Sequence, residues 1–198
     1  MRIVGGVWRG RAIEAPEGRG TRPTTDRMRE SLASMVLSAR GLDIGDCSVL
    51  DAFAGSGGVG LELLSRGARH CTFCDKDRRA AAIVRRNCQS LGAPKESWDV
   101  LCLDAFRACS LSDMRGAPFD VVFLDPPYAL AATSVAELVE SLDRAGLLAS
   151  ECLVVYERAT SADALCDVAS GQSRCAGFVP LRSKKHGGTT VELLRKDT

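Results

Sequence analysis

Residues 51–60, with the sequence DAFAGSGGVG, decide the fold. Three of these glycines form a G-x-G-x-x-G pattern between an apolar run and a helical pattern. Glycine in such a loop permits a tight turn and lets the backbone approach a ligand closely. An acid about 20 residues further on completes the pattern, and Asp75 or Asp77 fills that place. The segment predicts a strand, a ligand-binding loop and a helix. The structural alternative is a set of glycines that only lets the helix pack closely on the strand.

Strands and helices alternate along the chain after residue 48. Apolar runs predict parallel strands at residues 48–53, 71–74, 98–103, 119–124 and 153–156, and an antiparallel pair near 176–181 and 189–194. Apolar residues at helical spacing predict helices around residues 28–36, 58–66, 80–91 and 135–145, the first capped by Thr25 or Asp26. This alternation is typical of an α/β fold, here a mostly parallel seven-stranded sheet with helices on both faces.

Acidic residues stand at the ends of the predicted parallel strands. They are Asp51, Asp75, Asp104, Asp125 and Glu157. Ligands of open parallel sheets bind beyond the carboxyl ends of the strands. We therefore expect these acids to lie along one rim of the sheet, around a single site.

The first 22 residues predict a small basic β-hairpin that precedes a domain of residues 23–198. Residues 1–30 hold seven arginines and four acids, although the whole chain has a net charge of only +1. A basic arm on a nearly neutral body suits contact with phosphates, and a solvated arginine-rich surface is the other interpretation. No apolar run is long enough to span a bilayer or to act as a signal peptide. We expect a cytoplasmic protein with no membrane contact.

The glycine loop raises two cofactor hypotheses, a nicotinamide dinucleotide and S-adenosylmethionine. Asp51 immediately precedes the loop, where a carboxylate would repel a pyrophosphate but would attract an amino group and a sulfonium. No second domain is available for a hydride acceptor. S-adenosylmethionine therefore fits better, with Asp51 near its methionine end, Asp75 at the ribose and Asp104 at the adenine edge. The predicted cofactor residues are Asp51, Phe53, Ala54, Gly55, Ser56, Gly57, Asp75, Lys76, Asp104 and Ala105.

Asp125-Pro126-Pro127-Tyr128 directly follows the apolar run at 119–124. The two prolines end the strand and fix the backbone direction. The Asp125 carboxylate and the Pro126 carbonyl are both acceptors, and an exocyclic amine offers two donors. Tyr128 can stack on a base. The segment predicts a catalytic site that holds a nucleic-acid base amine for methylation, and a Pro-Pro turn without a function is the alternative.

Four segments together resemble the RsmD-type family of small-subunit ribosomal RNA (guanine-N2)-methyltransferases. They are residues 2–11 (RIVGGVWRGR), 22–30 (RPTTDRMRE), 51–57 (DAFAGSG) and 125–128 (DPPY). The resemblance implies a Rossmann-like class I methyltransferase with an N-terminal hairpin. It implies methylation of one guanine in 16S rRNA of the 30S subunit or an assembly intermediate. It also implies RNA contacts at Arg9, Arg11, Arg22 and Arg27. Asp75 departs from the family, which usually has Glu there.

Three alternatives remain open from the sequence. An adenine-N6 methyltransferase of DNA or RNA would use the same DPPY segment, and a non-catalytic RNA-binding module or an oxidoreductase could keep the fold. Cys71 and Cys74 form a C-x-x-C without a second ligand pair at metal spacing, so we expect no metal site. We expect the nine cysteines to be reduced and the protein to be a monomer.

Overall fold

A seven-stranded sheet forms the centre of the computed structural model, which describes residues 1–15, 25–111 and 113–197. Its strands are β1 (Ser48–Asp51), β2 (His70–Cys74), β3 (Trp98–Leu101), β4 (Phe119–Leu124), β5 (Leu148–Ala159), β8 (Phe178–His186) and β9 (Thr189–Lys196). The short pair β6 (Cys166–Asp167) and β7 (Gln172–Ser173) forms a separate ribbon. The strand order is β3-β2-β1-β4-β5-β9-β8, in which β1 to β5 are parallel and β9 is antiparallel to β5 and β8.

Five helices cover the two faces of the sheet within the described residues. They are α1 (Asp26–Ala39), α2 (Gly58–Ser65), α3 (Arg78–Leu91), α4 (Ala105–Ala108) and α5 (Ala132–Arg144). Helices α1, α2 and α3 pack on one face, and α4 and α5 pack on the other. Every residue of β1 and β2 is buried, as expected of parallel strands covered on both sides. The predicted fold class is confirmed.

Side chains of one strand alternate between the two cores. In β4, Val121 and Phe123 face α1 to α3, whereas Val122 and Leu124 face α5. The same alternation holds in β2, where Cys71 and Cys74 are three residues apart. They therefore lie in different cores on opposite faces of the strand. The C-x-x-C therefore does not place its two thiols together. All nine cysteines are free thiols.

The N-terminal segment pairs with itself through a single bridge between Arg2 and Ala12, with flanking backbone hydrogen bonds. Ile3 and Ile13 are buried in the same core as the residues of α2. The Glu62 carboxylate on α2 accepts hydrogen bonds from the amides of Val4 and Gly5 at 2.9 and 2.7 Å. These contacts fix residues 1–13 against α2, and the predicted division at residue 22 lies outside the described residues.

Several predicted boundaries shift. The first strand ends at Asp51 instead of residue 53, and the third ends at Leu101 instead of 103. Strand β5 is much longer than the predicted 153–156. Helix α4 and the β6–β7 ribbon were not predicted, since four-residue and two-residue elements show no periodicity. Among residues 1–15, 25–111 and 113–197, no helix is long and apolar enough to cross a membrane.

Candidate active site

A cavity of about 620 Å³ opens at the carboxyl end of the parallel strands. It lies where the strand order reverses between β1 and β4, the position at which open α/β sheets bind ligands. The predicted cofactor and base residues line it, with the exception of Gly57: Asp51, Phe53, Ala54, Gly55, Ser56, Asp75, Lys76, Asp104, Ala105, Asp125, Pro126, Pro127 and Tyr128. A volume of this size suits a nucleoside-sized ligand.

Gly57 belongs to the glycine loop but is not among the residues that line the cavity. It is the N-cap of α2 in the left-handed conformation, with φ of 77°. A Cβ built at this position would lie 3.2 Å from the Phe73 ring and 3.3 Å from Val84. A side chain here would be strained by the backbone angle and crowded by the core. Gly57 therefore shapes the loop, and the described contacts do not place it at the cavity wall.

Asp51 is the buried carboxylate of the site, with only 2% of its surface exposed. Its Oδ2 accepts a hydrogen bond from the Gly60 amide at 3.2 Å, which joins the end of β1 to the first turn of α2. Burial, and to a smaller extent the charges of Asp125 and Asp75, raises the pKa of Asp51 to about 7, although the hydrogen bond from the Gly60 amide acts in the opposite direction. A cationic ligand group beside Asp51 would compensate this cost.

Asp75 holds the glycine loop. Its Oδ2 accepts from the Gly55 amide and its Oδ1 accepts from the Asp77 amide, both at 2.8 Å. The shorter aspartate, where the resembled family usually has glutamate, thus has both oxygens engaged by backbone amides. Each oxygen has a second lone pair, which remains available to a ribose hydroxyl.

Asp104 caps the short helix α4 through its Oδ1, which accepts from the Phe106 amide at 3.0 Å. Phe106 lines the cavity and is 38% exposed. Phe106 was not predicted from the sequence, because α4 is too short to show a pattern. Its exposed ring beside Asp104 could cover one face of a planar ligand.

Asp125, Pro126, Pro127 and Tyr128 follow β4 and line the cavity, and β4 is the strand next to β1, which precedes the glycine loop. The Pro127 carbonyl accepts from the Leu130 amide at 2.9 Å, so residues 127–130 form a closed turn that begins within the segment. Tyr128 is 66% exposed and leaves its ring available for stacking. Burial raises the pKa of the Asp125 carboxyl to about 6.

Glu157 is a second carboxylate beside Asp125. The register pairs Leu124 with Tyr156, which sets the next residues of the two parallel strands side by side. Glu157 is 8% exposed and its Oε2 has no partner among the described residues. Burial and the charge of Asp125 raise the pKa of Glu157. The sequence placed Glu157 on the rim but gave no signal that it would be buried.

Three of the predicted RNA-binding arginines lie in described residues, Arg9 and Arg11 on the N-terminal segment and Arg27 on α1. Arg9 belongs to the N-terminal turn, which contacts Ser65 at the last residue of α2, the end away from the glycine loop. Arg11 donates to the carbonyls of Ser90 and Leu91 at the end of α3. Arg27 is exposed on α1. Arg22 lies outside the described residues.

The described residues fit a cofactor with a cationic end and ribose hydroxyls. Asp51, Asp75 and Asp104 line one half of the cavity, and apolar contacts come from Phe53 and Phe106. Three carboxylates around the loop disfavour a pyrophosphate, which is itself anionic. The other half of the cavity presents the acceptors of the DPPY segment. The fold and the site together define a Rossmann-like class I methyltransferase.

The comparisons with known proteins assign the family. The model of the family described as conserved hypothetical protein 95 matches residues 1–195, and the chain belongs to that family. Ribosomal RNA small subunit methyltransferase D of Escherichia coli (strain K12) is 37% identical over 157 residues, which are 79% of this chain and 74% of the relative. The relative from Haemophilus influenzae is also 37% identical, over 71% of this chain and 72% of the relative.

Solved structures agree with the fold. The structure of yhhF from Escherichia coli has a TM-score of 0.76 and 32% identity, and the match covers 100% of this chain and 98% of that chain. Magnesium protoporphyrin IX methyltransferase of Synechocystis PCC 6803 has a TM-score of 0.64 at 16% identity, over 86% of this chain and 79% of that chain. The second match shows a shared fold only.

Proposed function

We propose that this protein transfers a methyl group from S-adenosylmethionine to the exocyclic N2 amine of one guanine in 16S rRNA, within the 30S subunit or an assembly intermediate. One observation carries the proposal: the Asp125–Tyr128 turn and the buried Asp51 line the same cavity at the β1–β4 switch point. A relative named as a small-subunit rRNA methyltransferase supports the substrate class. We also propose that the protein acts as a monomer in the cytoplasm.

The chain's own residues would prepare the base for attack. The bound cofactor supplies an electrophilic methyl group on a positively charged sulfur. The lone pair of a base amine is delocalised into the ring, so the nitrogen is a weak nucleophile. The Asp125 carboxylate and the Pro126 carbonyl can accept its two hydrogens, which draws the nitrogen toward tetrahedral geometry and offsets its developing positive charge. Tyr128 would hold the base by stacking on its plane.

The remaining residues would hold the cofactor and receive the proton. Asp51 would face the cationic methionine end, Asp75 the ribose and Asp104 the adenine edge. The amine loses one proton after the methyl group is attached. That proton can pass to Asp125, whose raised pKa makes it a better acceptor than an ordinary aspartate. A stacked amine is hard to reach, so the target guanine would be unpaired or flipped out of its stack.

Transfer of radiolabelled methyl from S-adenosylmethionine to 30S subunits tests this function. The subunits come from cells that lack the gene, and the labelled RNA is digested to nucleosides. We expect the label in N2-methylguanosine. Label in N6-methyladenosine would retain the chemistry and refute the substrate. Cofactor binding without any label on 30S subunits or on naked 16S rRNA would refute the proposed enzyme activity on this RNA.

Arg11 and Arg9 should have separable roles. Arg11→Ala removes hydrogen bonds to the Leu91 carbonyl, at 2.8 Å, and to the Ser90 carbonyl. We expect it to lower the free energy of unfolding by about 1–2 kcal/mol, because charged donors at a helix end are lost. Arg9→Ala should leave the melting temperature unchanged and reduce the salt dependence of RNA binding. Thermal melting and binding at several salt concentrations measure both, and an unchanged salt slope would remove Arg9 from the RNA surface.

A further inference from the structure

A basic groove lies between α1 and β8, outside the cavity already described. It has a volume of about 290 Å³, and its lining includes Arg27, Ser31, Arg182 and Lys184. The Ser31 hydroxyl accepts from Lys184 Nζ at 3.3 Å and lies 3.3 Å from Nε2 of His186. We define the basic groove as Arg27, Ser31, Arg182, Lys184 and His186. Neither the glycine loop nor the DPPY turn belongs to it.

The alternation of β8 puts the positive charges on one face. Arg182 pairs with Leu193 and Lys184 pairs with Val191, and both partners face the core under α1. Side chains of paired residues in adjacent strands point to the same side of the sheet. Arg182, Lys184 and His186, two residues apart, therefore all point toward α1, whereas Lys185 points to the other side.

Asp125 of the DPPY turn and Lys184 of the basic groove lie in the same row of paired residues across the sheet. Both are on the sheet face that α1 covers. Val191 pairs with both Glu157 and Lys184, and Glu157 is beside Asp125. Asp125 and Lys184 are thus three strand spacings apart, or roughly 14 Å at about 4.8 Å each. That separation equals about four steps of 3.4 Å in a stacked nucleic-acid strand.

The basic side chains of the groove are not held in salt bridges with neighbouring acids. Within residues 1–15, 25–111 and 113–197, no salt bridge involves Arg27, Arg182 or Lys184. Burial and the positive charges of Lys184 and Arg27 lower the pKa of His186, which is consistent with cations that converge. Glu30 also lines the groove and reduces the positive charge there.

We propose that the basic groove binds the phosphodiester backbone of the RNA strand that flanks the target base. Unpaired cations beside a serine hydroxyl provide the donors that phosphate oxygens accept. Because the groove and Asp125 lie at the same rim of the sheet, one RNA strand can contact the groove while one of its bases enters the cavity at Asp125. This inference rests on the proposed function, because it requires an RNA substrate. The groove shares Arg27 with the RNA contacts expected from the sequence, and it adds Arg182 and Lys184 on β8.

The double substitution R182A/K184A tests the groove, with Lys185→Ala as the control on the opposite face of the same strand. The probes are a fluorescent single-stranded oligoribonucleotide and 30S subunits. We expect R182A/K184A to weaken binding roughly tenfold and to reduce the salt slope by about 0.7 per phosphate lost. KM for 30S subunits should rise while kcat and cofactor affinity stay unchanged. Lys185→Ala should resemble the wild type, and Glu30→Gln should tighten binding.

The outcomes separate the groove from the proposed function. Wild-type methylation of 30S subunits together with unchanged affinity and salt slope in R182A/K184A would overturn the groove and leave the function intact. The proposal would also be overturned if R182A/K184A and Lys185→Ala weakened RNA binding equally per charge removed. That result would indicate an effect of net charge that does not depend on the face of β8. Failure of the wild-type protein to bind or methylate either RNA would refute the proposed function and the groove with it.

Discussion

Replacement of Asp125 by alanine is expected to lower the rate of methyl transfer by roughly a hundredfold to a thousandfold, the usual effect of losing a preorganised polar group that stabilises developing charge. Asp125 lies in the cavity wall, directly after the last residue of β4. Alanine removes the acceptor that would hold an amine hydrogen, and it leaves the glycine loop unchanged. Cofactor affinity should therefore stay within error of the wild type, measured by calorimetry beside single-turnover methylation.

Asp125→Asn is the matched variant for the same position. Its carbonyl keeps one acceptor at nearly the same place, so we expect a loss of only about tenfold, or 1.4 kcal/mol. The wild-type rate should fall as pH decreases through the raised pKa of Asp125, because the carboxylate becomes protonated. The Asn variant should lack that pH dependence. Equal activity of the Ala variant and the wild type would refute the role of Asp125 in amine methylation.

Glu157 complicates a simple assignment of the proton to Asp125. The two carboxyl groups lie side by side at the ends of β4 and β5, and the charge of Asp125 raises the pKa of Glu157. Protons taken up by such a pair belong to the pair rather than to either residue. The pH profile of a Glu157→Gln variant separates the contributions of the pair, because Asp125 is then its only remaining carboxyl group.

The sequence predicts those features of the site that depend on neighbouring residues along the chain. The run at 119–124 followed by two prolines identifies β4 and the DPPY turn. The glycine motif identifies a second segment that lines the same cavity. Glu157 was not predicted to be buried, because its burial depends on the pairing of β5 with β4 and β9. The sequence also could not predict that the Arg11 guanidinium donates to carbonyls that are 79 and 80 residues away in the chain.

The basic groove could not be predicted from its sequence for a related reason. Residues 182–186 read RSKKH, a polar run without the apolar alternation that identifies a half-buried strand. Its register is set by pairing with β9, and the groove forms only because α1, about 150 residues earlier, packs against the same face. Long-range packing thus creates the features that local patterns miss.

Asp51→Asn is expected to abolish cofactor binding over most of the accessible concentration range, a loss of roughly a hundredfold or more in affinity. The Asn carbonyl can still accept from the Gly60 amide, so the junction of β1 and α2 should be preserved. What disappears is the negative charge opposite the cationic end of S-adenosylmethionine. Isothermal titration with S-adenosylmethionine and with the neutral-sulfur product S-adenosylhomocysteine measures this, and the larger loss should be for the cation.

The same substitution should stabilise the free protein at alkaline pH. The pKa of Asp51 is about 3.8, the ordinary value for an aspartate, in the unfolded protein and about 7 in the folded protein. Between these pH values the folded protein binds more protons than the unfolded protein, so the free energy of unfolding falls as pH rises. The full loss of stability is reached above about pH 7. Asparagine removes this titration and its contribution to the slope. Wild-type cofactor affinity should in turn increase from pH 6 to 8, as Asp51 ionises. Two results would show that Asp51 does not recognise the cationic group: a wild-type affinity that is independent of pH, or an Asp51→Asn variant that binds the cofactor normally. Recognition by the charged carboxylate requires that cofactor affinity follow the ionisation of Asp51.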